Sequence, residues 1–235
     1  MPSPGWHSPL LLYTTTLSPY GRKASVLLEE LKAAYRNFDY DVYQINNSKN
    51  EQKEPWYLKL NPSGVVPTLV DRERGDFPIF ESAAILLYLE QHYDPENKFT
   101  FDPVTQPNDY SEMLQWVCFA HGGIGPMQAQ GMRICRSQSY GISSFQYFKA
   151  AYYYMFATED VPYAKKRYVD ETKRLYGVLD IRLTDRDWLA GPGRGIYSIA
   201  DINALTWWIA VYFCAEFAFT LTPTSQGQLS CRHRD

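Results

Sequence analysis

Between Asn61 and Ser82 the chain reads N-P-S-G-V-V-P-T-L-V-D, then an acidic, glycine-containing turn, then F-P-I-F-E-S. The proline directly before a β-prone run is what most narrows how this stretch can fold. Proline cannot donate to a sheet ladder, and a trans Pro67 would bend the strand at residues 68–70 badly, so a cis Val66-Pro67 bond is expected. That geometry turns the amide and carbonyl of Val66 outward, where an extended peptide can pair with them antiparallel, as an added strand does at a sheet edge. The second half of the stretch places Glu81 and Ser82 where the strand at residues 79–80 ends and the apolar run 83–89 begins. Ser82 opens a helix there, and a helix N-terminus offers unpaired N–H groups and partial positive charge. Such an end can hold a peptide's α-carboxylate while Glu81 receives its ammonium group. Taken singly, Pro67 reads as a turn proline and Ser82 as an ordinary N-cap. In this order and spacing the two halves read as one site for an extended peptide.

A chain of 235 residues has the length for two units with cores of ordinary size, one large domain being the alternative. Its 23 basic and 26 acidic residues contain no basic block, so neither nucleic acid nor an anionic membrane is expected as a partner. Residues 1–9 hold three prolines and no lysine or arginine, and the apolar run 10–13 is too short for a signal peptide or a membrane span. The cytosol is the default location. Cys118, Cys135, Cys214 and Cys231 are scattered, with no C-x-x-C and no histidine spaced to complete a zinc site. Neither a metal nor a disulfide framework is expected.

Residues 10–14 form an apolar, β-prone run. Residues 23–31 read as a helix with Val26, Leu27, Glu30 and Leu31 on one face, and residues 38–43 alternate again, which makes a β-α-β unit. Two short strands at 68–71 and 78–80 and a closing helix at 82–92 complete a thioredoxin-like α/β domain over residues 1–93. Residues 94–107, with three prolines and no period, read as a linker. The following stretch, 108–219, reads as all-helical. Its first helix, 108–130, must be bent or interrupted by Gly122, Gly123, Gly125 and Pro126. The second, 161–183, places Tyr168, Thr172, Leu175, Tyr176, Leu179 and Leu183 on one face, with the charges of 165–174 on a solvated face. A third starts at Ser198, whose side chain is expected to accept the Asp201 N–H while Asp201 reaches back and Tyr197 packs on Ile202. Residues 220–235 show no helical period and read as an atypical, disordered tail. Apolar side chains at Trp207, Trp208, Tyr212, Phe213 and Phe217 are then left without cover.

Together these residues resemble the glutathione transferase superfamily, from about residue 10 to about residue 211. N-P-S-G-V-V-P, F-E-S-A-A-I-L-L-Y-L and S-I-A-D-I stand in that superfamily's order and on its elements. Within it, S-P-Y-G-R-K (18–23) and Q-W-V-C-F-A-H-G-G-I-G-P-M (115–127) are most similar to the class related to the yeast nitrogen-catabolite regulator and its bacterial relatives. The same holds for K-R-Y-V-D-E-T-K-R-L-Y-G-V-L-D (166–180). The resemblance implies an α/β thioredoxin-like N-terminal domain, an all-α C-terminal domain, glutathione as co-substrate, no metal, and a homodimer. It also implies that Val66, beside Pro67, pairs with the cysteinyl backbone, that Glu81 and Ser82 hold the γ-glutamyl end, and that Gln52 or Lys53 lies near the glycyl carboxylate.

At the thiol the chain departs from that class, which has asparagine where Tyr20 stands and threonine or serine where Ser18 stands. A free thiol ionises near ~8.5, and hydrogen bonds to the thiolate together with a helix N-terminus lower that value. Ser18 can donate one such bond just before a helix, or it can be a plain cap. Tyr20 is the other candidate donor, or a ring packed over the domain cleft. Tyr13 and Thr14 to Thr16 stay open. Glutaredoxins and cysteine-type transferases carry a nucleophilic cysteine at the position of Ser18, and serine cannot perform that dithiol exchange. The second substrate is expected between the domains, an apolar or aromatic electrophile beside Phe119, His121, Met127, Met132, Phe145, Tyr147, Phe148 and the run from Tyr152 to Phe156, although each of these singly reads as core. The resulting expectation is a glutathione S-transferase that adds the thiolate to an electrophilic small molecule, in detoxification or fungal secondary metabolism. A non-catalytic glutathione-binding regulator or ligand carrier, and a glutathione-dependent disulfide reductase or peroxidase, are the alternatives.

Overall fold

The computed structural model describes residues 8–16, 18–132, 161–212, 221–223 and 229–231. The chain divides into two compact units, Met1–Phe99 and Thr100–Asp235. Residues 94–99, expected to belong to a linker, are instead fastened to the first unit. The Asp94 carboxylate accepts the N–H groups of Lys98 (2.9 Å) and Phe99 (2.8 Å) and the Tyr35 hydroxyl.

In the first unit, β1 (Leu10–Thr14) lies parallel to β2 (Tyr40–Gln44) and antiparallel to β3 (Thr68–Asp71), which pairs antiparallel with β4 (Phe77–Phe80). The strand order is β2-β1-β3-β4. Helix α1 (Pro19–Ala34) begins a turn before its apolar period does, because Ser18 caps it and Pro19 occupies its first turn with φ already suited to a helix. Its buried Ala24, Leu27, Leu28 and Leu31 pack with Ile85, Leu86 and Leu89 of α3 (Ser82–Tyr93) on one face of the sheet. Period-2 alternation gives that face Leu10, Leu12 and Leu69. The opposite face carries Leu11, Tyr13, Ile45, Val70 and Tyr57, the last from the short α2 (Pro55–Leu58), which follows two 3-10 turns at Asn47–Lys49 and Glu51–Lys53. Asp71, buried at the end of β3, accepts the hydroxyls of Tyr88 (2.8 Å) and Tyr93 (2.6 Å) and so ties α3 to the sheet.

The second unit opens with α4 (Pro107–Phe119). The glycines do not break this helix. Ala120–Ile124 widens to a π turn and the chain continues as α5 (Gly125–Met132). A Cβ at Gly125 would stand 3.0 Å from the Trp207 indole, so glycine permits the close approach of α7 (Ile199–Tyr212). Buried Gln128 joins three helices: its amide donates to the Trp207 carbonyl (2.6 Å) and accepts from Tyr176 (2.6 Å) of α6 (Pro162–Leu183). Trp207 is therefore core, a correction to the expectation that it lacks cover. The side chains of Trp208 and Tyr212, and Phe213 and Phe217 altogether, lie outside the described residues.

The start of α7 is built as expected in one half only. Asp201 reaches back to the Ser198 N–H (3.0 Å), but the Asp201 N–H bonds the Ser198 carbonyl (3.0 Å), and the Ser198 hydroxyl takes the Ala200 N–H (3.4 Å). The hydroxyl's own proton goes to the Asp201 carboxylate (3.3 Å), which also takes the Leu189 N–H at 2.9 Å. The Tyr197 ring meets Trp188, with centroids 4.9 Å apart. In the stretch read as a disordered tail, β5 (Leu221–Pro223) pairs antiparallel with β6 (Leu229–Cys231).

Candidate active site

The loop before β3 is assembled by two side chains. Asn61 is buried; its amide donates to the Val65 carbonyl (2.8 Å) and to Thr68 Oγ1 (3.1 Å), and its Oδ1 accepts the Ser63 N–H (3.0 Å). Tyr57 adds a hydroxyl bond to the same carbonyl (2.8 Å) and meets Thr68 Oγ1 at 2.8 Å. Gly64 has φ +60, and a Cβ there would fall 2.9 Å from Lys53 Nζ and 3.0 Å from the Gln52 carbonyl. The Val66-Pro67 bond is cis, as expected. With Val65 held from behind, the N–H and C=O of Val66 make no hydrogen bond among the described residues, although both flank a sheet. A backbone pair left over beside a strand is what an added peptide strand needs.

At the next corner Glu81 adopts φ 70, ψ 114, outside the basins a non-glycine residue prefers. Holding it there costs on the order of 1–3 kcal/mol, and such residues gather at ligand clamps. Its carbonyl accepts the Ile85 N–H (2.9 Å) and no side chain caps the helix, so the N–H groups of the first turn of α3 keep their positive potential. Ser82 sits at that turn with 2% exposure, and its buried Oγ has no hydrogen-bond partner. An unsatisfied buried hydroxyl costs about 1–3 kcal/mol, which a ligand carboxylate at this helix end would relieve.

Ser18 lies at the start of α1 and its Oγ accepts the Gly21 N–H (3.1 Å), so the capping role read from the sequence is present. Accepting that bond leaves the hydroxyl proton free to donate elsewhere. Gly21 is required, since a Cβ there would lie 2.0 Å from Thr14 Oγ1. Tyr20, half-buried on the same turn, has its ring 5.6 Å from Lys23 Nζ. Tyr13 is removed from the list of thiol donors, because it belongs to the aromatic core with Tyr43, Trp56 and Tyr57, centroids 5.4, 5.8 and 5.9 Å away. Burial raises its phenol pKa. Gln52 and Lys53 both border the loop: Lys53 Nζ donates to the Ser63 carbonyl (3.2 Å), and Gln52 Oε1 is a buried acceptor without a partner.

The structure therefore gathers Gln52, Lys53 and Val66 about one loop and sets Glu81 and Ser82 at one helix start. Asn61, Tyr57 and Lys23 were missed. The N-P-S-G turn signature, which places an asparagine two residues before a serine N–H, was the signal available for Asn61. In the second unit, a cavity of about 620 Å³ is lined by Gly122, Gly123 and Met127 on one side and by Tyr163, Arg167 and the ion-paired side chains of α6 on the other. This wall is mostly charged, with Tyr163 as its aromatic ring, and of the expected electrophile contacts with described side chains, Phe119, His121 and Met127, it is Met127 that borders it. The Met132 side chain, and Phe145, Tyr147, Phe148 and the run from Tyr152 to Phe156, lie outside the described residues. Among the described residues no three or more histidine, cysteine or acidic side chains gather as a metal site, and no helix is long and apolar enough to cross a membrane.

A cis-proline loop, a helix start with an orphan serine and a capped first helix stand on a thioredoxin-like sheet, and the chain belongs to the glutathione S-transferase family. The sequence profile of the glutathione S-transferase N-terminal domain matches residues 17–92. Glutathione S-transferase 2 of Schizosaccharomyces pombe is 34% identical over 199 residues, which cover 83% of this chain and 73% of that one. Glutathione S-transferase 1 of the same yeast is 38% identical over 168 residues, 72% of this chain, and the match spans 63% of that relative's length. Among solved structures, a glutathione transferase from Phanerochaete chrysosporium with oxidised glutathione superposes with a TM-score of 0.72 at 32% identity, covering 91% of this chain and 83% of that one.

Proposed function

We propose that this protein, acting as a cytosolic homodimer, binds glutathione in its first unit, ionises the thiol and adds it to an electrophilic, apolar or aromatic small molecule. The observation that carries this reading is the buried, partnerless Ser82 hydroxyl at the start of α3, next to Glu81 in its left-handed conformation. The γ-glutamyl carboxylate takes Ser82 and the first-turn N–H groups, its ammonium faces Glu81, and the cysteinyl backbone pairs with Val66. The glycyl carboxylate falls toward Lys53 and Gln52. This leaves the sulfur at the start of α1, where the Gly21 N–H polarises the Ser18 hydroxyl toward donating. The thiolate then attacks the electrophilic carbon. A sulfur–carbon bond forms, the leaving group departs with its bonding pair, and the thiol proton ends in solvent.

Retention on immobilised glutathione, followed by conjugation to a generic aromatic halide and reduction of a model disulfide, tests the reading. Retention with conjugation is expected. Retention without turnover of either kind would assign the chain to carriers or regulators, and disulfide reduction alone would assign it to reductases that use glutathione as the thiol.

A further inference from the structure

Lys23 lies one turn into α1 and is 0% exposed, which is rare for lysine. Its ammonium stands beside the Tyr20 ring on its own helix, 5.6 Å from the centroid. From α3, which packs against α1, the Glu81 carboxylate attracts it. The third element against α1 is β1, which carries no charged side chain and whose only titratable group, Tyr13, points into the opposite core. Lys23 thus connects the two halves of the candidate site, touching the turn of Ser18 and Tyr20 on one side and the field of Glu81 on the other. Conjugation as proposed for Ser18, Val66, Glu81 and Ser82 gives Lys23 no task.

Resting on the glutathione-binding reading, we propose that Lys23 is a positioning residue for the thiolate, its buried ammonium acting beside Tyr20 as a second positive field on the ionised sulfur. In a buried setting the effective dielectric is low, so a charge here acts with little screening. Burial pulls the Lys23 ammonium down to about 7, and Glu81 opposes that pull. The ligand's γ-glutamyl end brings one carboxylate and one ammonium, which nearly cancel, whereas ionising the thiol adds a net negative charge. That charge favours protonated Lys23, and by linkage protonated Lys23 favours the thiolate by the same amount. The two groups titrate as a coupled pair.

The test uses the full chain and two ligands, glutathione and its thioether S-methylglutathione, which has no thiol to ionise. Spectroscopic titration of the bound thiolate is expected to shift upward by about one pKa unit in Lys23→Met, a tenfold fall in the thiolate-to-thiol ratio at a given pH. S-Methylglutathione affinity should change by less than about threefold, because Val66, Glu81 and Ser82 do the holding. Lys23→Arg, which keeps the charge, should restore the titration. A Lys23→Met protein that binds both ligands and titrates like the parent overturns the inference. If that variant does not fold, the lysine ε-carbon signal of Lys23 in the isotope-labelled parent decides. Its midpoint must be higher with glutathione than with the thioether, and equal midpoints overturn the inference. Failure of the parent to bind either ligand would sink the functional reading itself, whereas intact binding with an unmoved titration sinks the role of Lys23 alone.

Discussion

The Ser18 hydroxyl has the capacity to serve two atoms at once. Its oxygen accepts the Gly21 N–H while its proton stays available, so capping and thiol activation are compatible rather than rival roles. Ser18→Ala is accordingly expected to raise the pKa of bound glutathione by about one unit, about 1.4 kcal/mol of thiolate stabilisation, with tripeptide affinity nearly intact. The lost cap should also lower stability by about 1 kcal/mol. Tyr20→Phe should be nearly silent in the same ultraviolet titration. The reverse pattern assigns the donor to Tyr20, and two silent variants leave the ionisation to the backbone amides and helix field. At this scale the legible residues were those whose role is local: Ser18, Val66, Glu81 and Ser82 each stand at a cap, a cis-proline or a strand end that neighbouring letters announce. Lys23 was not legible, because a lysine on a helix reads as solvated until the packing of α3 over α1 buries it. Tyr13 stayed open for the same reason, since the side chain's company comes from Tyr43 of β2 and from Trp56 and Tyr57 of α2, all distant in sequence.

The loop between α2 and β3 owes its shape to Asn61, whose amide and carbonyl oxygen satisfy three groups over residues 63–68. Asn61→Ala removes all three bonds inside a buried site and should lower stability by about 1–3 kcal/mol. Because Val66 then loses its fixed backbone, glutathione affinity should fall in the same variant, while Ser18→Ala leaves it intact; denaturant unfolding with calorimetric binding separates the two. At the start of α7, burial lifts the Asp201 carboxyl to about 6 against the pull of its hydrogen bonds. A carboxyl raised above its unfolded value destabilises the fold fully above pH 6, and the penalty is relieved as pH falls toward 4. The difference in stability between the parent and Asp201→Asn should therefore change between pH 4 and 6 and be flat from 6.5 to 8; a constant difference across both windows refutes the assignment. Long elements were readable from their periods, and β1 and β3 were placed to the residue. The two 3-10 turns and α2 were not, because three or four residues carry no period, and the π turn reads as an interruption until Gly123 and Gly125 are seen facing Leu175 and Trp207.

Over the whole molecule, the division into an α/β unit and a helical unit was legible because the alternation of β-prone and helical periods stops near residue 93. The fastening of residues 94–99 was not, since it depends on a single carboxylate, Asp94, that a proline-rich stretch hides. Association is a property of this scale too. Strand β4 has β3 on one side and is an edge on the other, and it carries Phe77 at 51% and Phe80 at 38% exposure. Large apolar side chains on an uncovered edge invite pairing with another chain, and soluble proteins that keep them usually cover them in an assembly. Phe77 also lies against Tyr88 of α3, centroids 6.0 Å apart, so the apolar surface extends from the strand onto the helix. Phe80 adjoins Glu81 and is poorly suited to substitution, whereas Phe77 lies at the far end of the strand from Ser82. A homodimer is therefore expected at micromolar concentration, and Phe77→Glu should shift it toward monomer, with the ion pair of Asp41 and Arg72 and the packing beneath left in place. Light scattering on both proteins is the measurement. A monomeric parent removes the dimer, and a dimer that Phe77→Glu leaves unchanged moves the interface away from β4.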